Sequence, residues 1–342
     1  MGVDLLLRMD AARKRDVSAF LAEEGFVRSE SIAPRPGWSF FFWFEEAQYR
    51  STSGVEASLL PGSDDPGASA SQLVLAVHAK SWASIHDIEK LNGVIRRARA
   101  QFGGRIDGDY GRNRYIPLWE DQSTPLSRGI NRTHDKATEV LEALRFAAPD
   151  EKILRPSGAD DDPISARVFE AVQRYDPARV VYNGLLPMLV AVLEHYFLHV
   201  FIVLAQHDPA AQSKVQQKKV PAKLTGEDLR RLANGEITVE SIIAREYSFQ
   251  SVSGLSATFR EWFGIDLGKI LAPRRRVLNR TGSLLDGLTT VIDDRHDVVH
   301  RLDLDRTLDR DGYLHNVALV AKIIETTSVA LGTKYGFTVD QF

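Results

Sequence analysis

The chain has 342 residues, 44% of them hydrophobic and 26% charged, with 43 basic against 46 acidic side chains and a net charge of -3. These proportions exclude a collagen-like, coiled-coil or wholly disordered chain, and near neutrality leaves only a local patch for any grip on nucleic acid. The absence of cysteine excludes disulfides, thiolate zinc sites and cysteine nucleophiles, and fits a reducing, cytoplasmic compartment.

The length accommodates two domains. Residues 1–150 read as an α+β domain. Its N-terminus, with the trio Leu5–Leu7 among Asp4, Arg8 and Asp10, is too short and too charged for a signal peptide. Met9 to Phe26 has helical composition, and Ser39 to Phe44 (SFFFWF) reads as a buried strand. Val55–Leu60 and Leu73–Val77 are further strand candidates, separated by the small-residue loop Pro61–Ser71. Ser84 to Phe102 is a helix by the spacing of Ile85, Ile88, Leu91 and Ile95, stopped by Gly103 and Gly104.

Pro149 to Pro163 is polar and proline-flanked and marks the boundary; 165–342 reads as all-α. Helical segments are expected over 164–175, 188–205, 226–232, 239–245, 252–262, 284–302 and 314–331, with Pro187 at a helix start and 212–223 as a basic loop. Leu185 to Ala205 is long enough to span a bilayer, but Glu194, His195 and His199 near its middle favour a buried helix and no membrane.

The stretch Leu288 to Leu302 (LTTVIDDRHDVVHRL) is the informative one. Its apolar residues step by three and four, and that stripe calls for an apolar side chain at 295, where the sequence has Arg295. Breaks of a local rule concentrate at functional sites. A buried arginine needs a counter-charge or a ligand anion, and Glu194, in a run that is apolar on every face, is the expected partner across a helix pair.

Three chemistries suit the cluster Arg295, His296, Asp297, His300 and Arg301. His296 and His300 share a helix face at i, i+4 as metal ligands do, with Asp297 between them and Asp303 or Asp305 as a third ligand. Metal-independent RNA cleavage is the second. A neutral imidazole takes the 2′-hydroxyl proton while an arginine holds the phosphate oxygens, without metal or cofactor. His300 is then the base and Arg295 the clamp. At about 100° per residue they lie ~140° apart on an α-helix, so two copies facing each other are needed to aim both at one phosphate. The third is a non-catalytic module that binds a nucleotide or holds a dimer together.

Arg295-His296-Asp297-Val298-Val299-His300-Arg301 resembles the R-x4-H signature of HEPN domains, in its RiboL-PSP form. Leu193-Glu194 is similar to the acidic position of that family's early helix. Ser248-Phe249-Gln250, Phe259, Trp262, Phe263 and Gly264-Ile265-Asp266-Leu267 are similar to its central segment. The resemblance covers about 165–335. It implies an all-α bundle that dimerises and, in many members, a metal-independent endoribonuclease acting as a toxin or an anti-phage, abortive-infection effector. It makes Arg295 and His300 catalytic, with Glu194, His296, Asp297 and Arg301 in support. RNA is then the substrate and a second copy the partner, with an antitoxin or a phage trigger as further partners. Leu302-Asp303 departs from the Asn-Gly that often follows the signature.

Two basic stretches lie outside the signature. Arg96 to Tyr115 holds six arginines against Asp107 and Asp109, and Tyr110, Arg112 and Arg114 are its candidates for RNA contact. A scaffolding turn explains its glycines equally. Arg274, Arg275, Arg276 and Arg280 stand just upstream of the signature helix, either to steer RNA or as a solvated helix cap.

Overall fold

The computed structural model describes residues 2–29, 35–150, 177–218 and 224–339. The chain forms two compact units, Met1–Arg128 and Gly129–Phe342. The division falls inside the helix α3 (Pro125–Ala147), rather than in the polar stretch at 149–163, most of which lies outside the described residues. Leu126, Ile130, Ala137, Leu141 and Leu144 on that helix are buried at helical spacing, where the sequence reading places no element.

The N-terminal unit is a six-stranded antiparallel sheet in the order β2-β3-β4-β5-β1-β6. Its strands are β1 (Gly2–Met9), β2 (Val27–Ser29), β3 (Ser39–Trp43), β4 (Val55–Pro61), β5 (Leu73–Lys80) and β6 (Arg105–Gly108). Helices α1 (Lys14–Glu23) and α2 (Ile85–Phe102) cover one face. Strand side chains alternate between faces, so Leu5, Leu7, Met9, Ala57, Leu59, Leu75 and Val77 point into the core with Leu21, Leu91 and Val94 of the helices. β5-α2-β6 is a crossover that places β1 between two strands, a split β-α-β arrangement. The aromatic run over β3 is not buried throughout. Phe41 is, whereas Phe42 turns away from the helices and stays 37% exposed. Trp38 stacks on Phe40 and Phe42 on Phe44 on that open side, because a period of two sends alternate rings outward.

The C-terminal unit is built on α4 (Pro177–His207), about 46 Å long at 1.5 Å per residue. It starts a full ten residues before Pro187, so that proline lies inside the helix and not at its start. Pro187 costs the carbonyl of Asn183 its helical partner, and Asn183 is held by side-chain bonds to the Arg179 and Asp305 carbonyls. The helix continues because Leu186, Leu189 and Val190 are buried around the proline. α5 (Pro209–Gln217) replaces the first half of the expected basic loop, with Asp208 capping its N-terminus. There follow α6 (Gly226–Ala233), α7 (Val239–Ala244), α8 (Val252–Phe263) and α9 (Leu267–Leu271). A hairpin of β7 (Arg274–Val277) and β8 (Arg280–Ser283) leads to α10 (Leu284–His296), a π-helical turn and α11 (Arg310–Tyr335). The hairpin corrects the all-α expectation for this half. The helix expected over 164–175 lies outside the described residues.

Phe201 of α4 is the hub of the core. Its ring lies 5.2–5.9 Å from those of Tyr247, Phe249, Trp262 and Phe263. The Tyr196 hydroxyl is buried against Ser328 Oγ at 2.6 Å, and burial pushes its ionisation well above the usual tyrosine range. Two helices, Pro177–His207 and Arg310–Tyr335, have the length and hydropathy of a bilayer span. The first has 61% of its apolar window buried inside the protein, as the core helix of a bundle must.

Candidate active site

Ser283 caps α10 by accepting from the Asp286 amide, and Leu284, Leu288 and Val291 anchor it in the core. The α-helix ends at His296, and Asp297–Arg301 wind on as a π-helical turn. The Leu302 amide closes that turn on the Asp297 carbonyl, five residues back. Each residue of such a turn advances less than the ~100° of an α-helix, so Arg295 and His300 lie closer to one face than the ~140° of regular winding. Single π turns recur at functional sites. No sequence periodicity announces this one.

The signature residues occupy its exposed side. The His296 and His300 rings are 4.7 Å apart, and His300 is solvent-exposed. Arg301 pairs with Asp297 at 2.8 Å, so these two charges satisfy each other. Arg295 is half-buried, where the apolar stripe predicts burial, and among the described residues no carboxylate lies within 4.0 Å of it. The expected Glu194–Arg295 ion pair does not form. Glu194 accepts instead from Gln250 Nε2 at 3.3 Å, because its place on α4 turns it toward the segment before α8. That bond joins two of the three sequence blocks that carry the resemblance, 56 residues apart.

Asp294, next to Arg295, has its carboxyl pushed up by burial and by Asp305, Asp297 and Asp293. His195 and His199 form a second ring pair on α4 at 4.1 Å, and burial followed by Lys136 pulls the His195 ring down. Among the described residues no group of three or more His, Asp or Glu side chains is placed to hold a metal ion, so neither Asp303 nor Asp305 completes a site with His296 and His300.

An apolar surface adjoins the π turn. Leu302, in a left-handed conformation (φ 54°), is 84% exposed, and Val299 is exposed beside it. α4 packs against this turn, and its Val180, Val181 and Met188 are also exposed. Asn183 and Arg179 fix the segment after the turn by bonding Asp305 and Arg306.

The two basic stretches have different structures. Arg97 pairs with Glu24, and Arg105 and Arg112 share Asp107, while Arg96 lies 5.0 Å over the Tyr115 ring. Much of that charge is therefore neutralised inside the N-terminal unit, although Tyr110, Arg112 and Arg114 are exposed. Arg274, Arg275, Arg276 and Arg280 lie on the β7–β8 hairpin, and all are exposed. No protein-family model, curated protein or solved structure matches the chain.

Proposed function

We propose that the C-terminal unit is a metal-independent endoribonuclease of the HEPN type, active as a homodimer. The observation that carries this reading is the π turn over Asp297–Arg301. It presents an exposed His300 and a half-buried Arg295, which has no carboxylate partner among the described residues, on one helix. His300 takes the ribose 2′-hydroxyl proton as the 2′-oxygen attacks phosphorus. Arg295 holds the phosphate oxygens as negative charge builds. The bond from phosphorus to the 5′-oxygen breaks, and that oxygen takes a proton from a protonated imidazole, for which His296 stands beside His300. The products are a 2′,3′-cyclic phosphate and a 5′-hydroxyl.

The exposed Val299 and Leu302 on the turn, and the exposed Val180, Val181 and Met188 on the helix that packs against it, support a second copy at this surface. Two copies bring a guanidinium and an imidazole from each helix to one cleft. In a cell the activity acts as a cytoplasmic toxin or anti-phage effector, restrained by an antitoxin or released by a phage trigger. The test is cleavage of RNA by the purified protein in EDTA, with mass spectrometry of the ends. Arg295→Ala and His300→Ala lose cleavage and stay dimeric. A stable dimer that binds nucleotide and cuts no RNA leaves the non-catalytic module instead.

A further inference from the structure

The β7–β8 hairpin concentrates cationic charge that the fold does not use. Four of the seven residues from Arg274 to Arg280 are arginine, in a chain whose net charge is -3. Among the described residues, Arg274 and Arg276 donate to carbonyls of their own hairpin, those of Thr281 and Leu278. Among the described residues no carboxylate lies within 4.0 Å of any of the four guanidinium groups. Elsewhere in the chain exposed arginines do find acids: Arg97 with Glu24, Arg230 with Glu227 and Arg245 with Asp228.

The pairing register sorts the ribbon into two faces. Arg276 lies opposite Thr281 and Arg274 opposite Ser283, so these four share one face. The other holds Arg275, Arg280 and Val277, and Val277 is buried where the ribbon packs on α11. The ribbon is thus pinned by its inner face and offers Arg274 and Arg276 outward with the Thr281 hydroxyl, while the Ser283 hydroxyl caps α10. Two strand positions separate those arginines by about 6.7 Å, a spacing that lets one ribbon edge follow successive phosphates of an extended strand. Ser283 ends the ribbon and caps α10, so the thirteen residues from Ser283 to Arg295 make one stiff element about 18 Å long.

We infer that the Arg274–Ser283 hairpin is an RNA-backbone arm, which binds a single strand through its phosphates and feeds it along α10 toward Arg295 and His300. This rests on the nuclease reading for its destination, but binding is measured apart from cleavage. Arginine's planar fork matches phosphate bidentately. Such interactions carry no sequence preference and fall with salt. An anionic membrane is disfavoured because only Leu278 adds an apolar side chain to the ribbon's exposed tip.

The experiment uses the full chain with His300→Ala, so that RNA survives, and a fluorescently labelled single-stranded RNA read by anisotropy between about 50 and 200 mM salt. Replacing Arg274, Arg275, Arg276 and Arg280 by glutamine should weaken binding at least about tenfold at the lower salt. The slope of log affinity against log salt should shrink by about 0.7 for each phosphate that the variant no longer neutralises. Replacement by lysine should keep most of the slope, which separates lost charge from a misfolded hairpin. An unchanged slope in the glutamine variant overturns the inference, as does binding to vesicles of anionic phospholipid without binding to RNA. If RNA binds through the ribbon and the wild type cuts nothing, the arm stands and the nuclease reading falls.

Discussion

The imidazole rings of His296 and His300 stand 4.7 Å apart, tilted by 47°, at the junction of α10 with its π turn. Two imidazoles this close can divide the two proton transfers, one taking the 2′-hydroxyl proton and the other supplying the 5′-oxygen. His300→Ala is expected to slow single-turnover cleavage by about 10²–10⁴. His296→Ala should slow it measurably less, because water can protonate the leaving oxygen. The double variant should be little worse than His300→Ala, since residues acting as a unit are not additive. Cleavage rates in EDTA check this, and full multiplicativity of the two losses counts against a proton-transferring pair.

Leu302 closes the π turn at φ 54°, where an L-residue is strained and glycine is the usual occupant, yet its side chain is 84% exposed. A strained, exposed leucine has no use in the isolated subunit. Leu302→Gly should therefore leave the stability of the monomer unchanged or slightly raised, by up to about 0.5 kcal/mol. The same change should weaken dimerisation about tenfold or more. Sedimentation equilibrium across a concentration series measures the dimer and thermal melts at low concentration the monomer. An undiminished dimer removes Leu302 from the interface.

Asp294 carries a carboxyl raised by burial and by Asp305, Asp297 and Asp293. Raised in the folded state, it binds its proton more tightly there than in the unfolded chain. Its contribution to stability is present below the unfolded value and is lost as pH rises through the folded one. At neutral pH the ionised group is a liability, so Asp294→Asn should raise the melting temperature by roughly 2 °C. The gain should vanish in acid, where the native carboxyl is already neutral. Thermal melts at pH 7 and at pH 3, below the ordinary carboxylate value, decide it; an advantage that persists unchanged in acid means the acidic cluster is not its source.

The parts of this fold that are legible in the sequence are those governed by one period. Ile85, Ile88, Leu91 and Ile95 mark α2 to within a residue, with Ser84 as its cap. β4 and β5 begin at Val55 and Leu73, where the expected strands begin. Where two signals compete, legibility ends. The SFFFWF run has a composition so apolar that it hides a period of two, and only the sheet shows which rings face outward. Arg274–Ser283 carries a turn at Leu278-Asn279 without the glycine that announces a hairpin, and its charge reads equally as a helix cap or as a loop that steers RNA. In the candidate site, composition locates Arg295 and His300, but their relative aim depends on the π turn, which residue spacing cannot encode. Glu194, in its apolar run, is only half-buried and bonds Gln250, not Arg295, at the surface.

Asp87 fastens the N-terminal unit at a point no motif marks. It is fully buried at the start of α2, and its Oδ2 accepts from the backbone amides of Thr52, Ser53 and Ser84 at 3.0–3.1 Å. The Ser84 hydroxyl accepts in return from the Asp87 amide, completing a capping box. One carboxylate oxygen thus ties the loop entering β4 to the helix N-terminus, where negative charge is favoured. Asp87→Ala leaves three part-buried amide donors without their acceptor and should cost about 2–4 kcal/mol. Asp87→Asn can turn its carbonyl toward the three amides, leaving its NH2 at the position of Oδ1, which has no partner. The asparagine variant should therefore fall between alanine and wild type. Hydrogen exchange at the Thr52 and Ser53 amides gives the local readout beside the thermal melt. Protection that survives in Asp87→Ala means the loop is held by its own turn and not by the carboxylate.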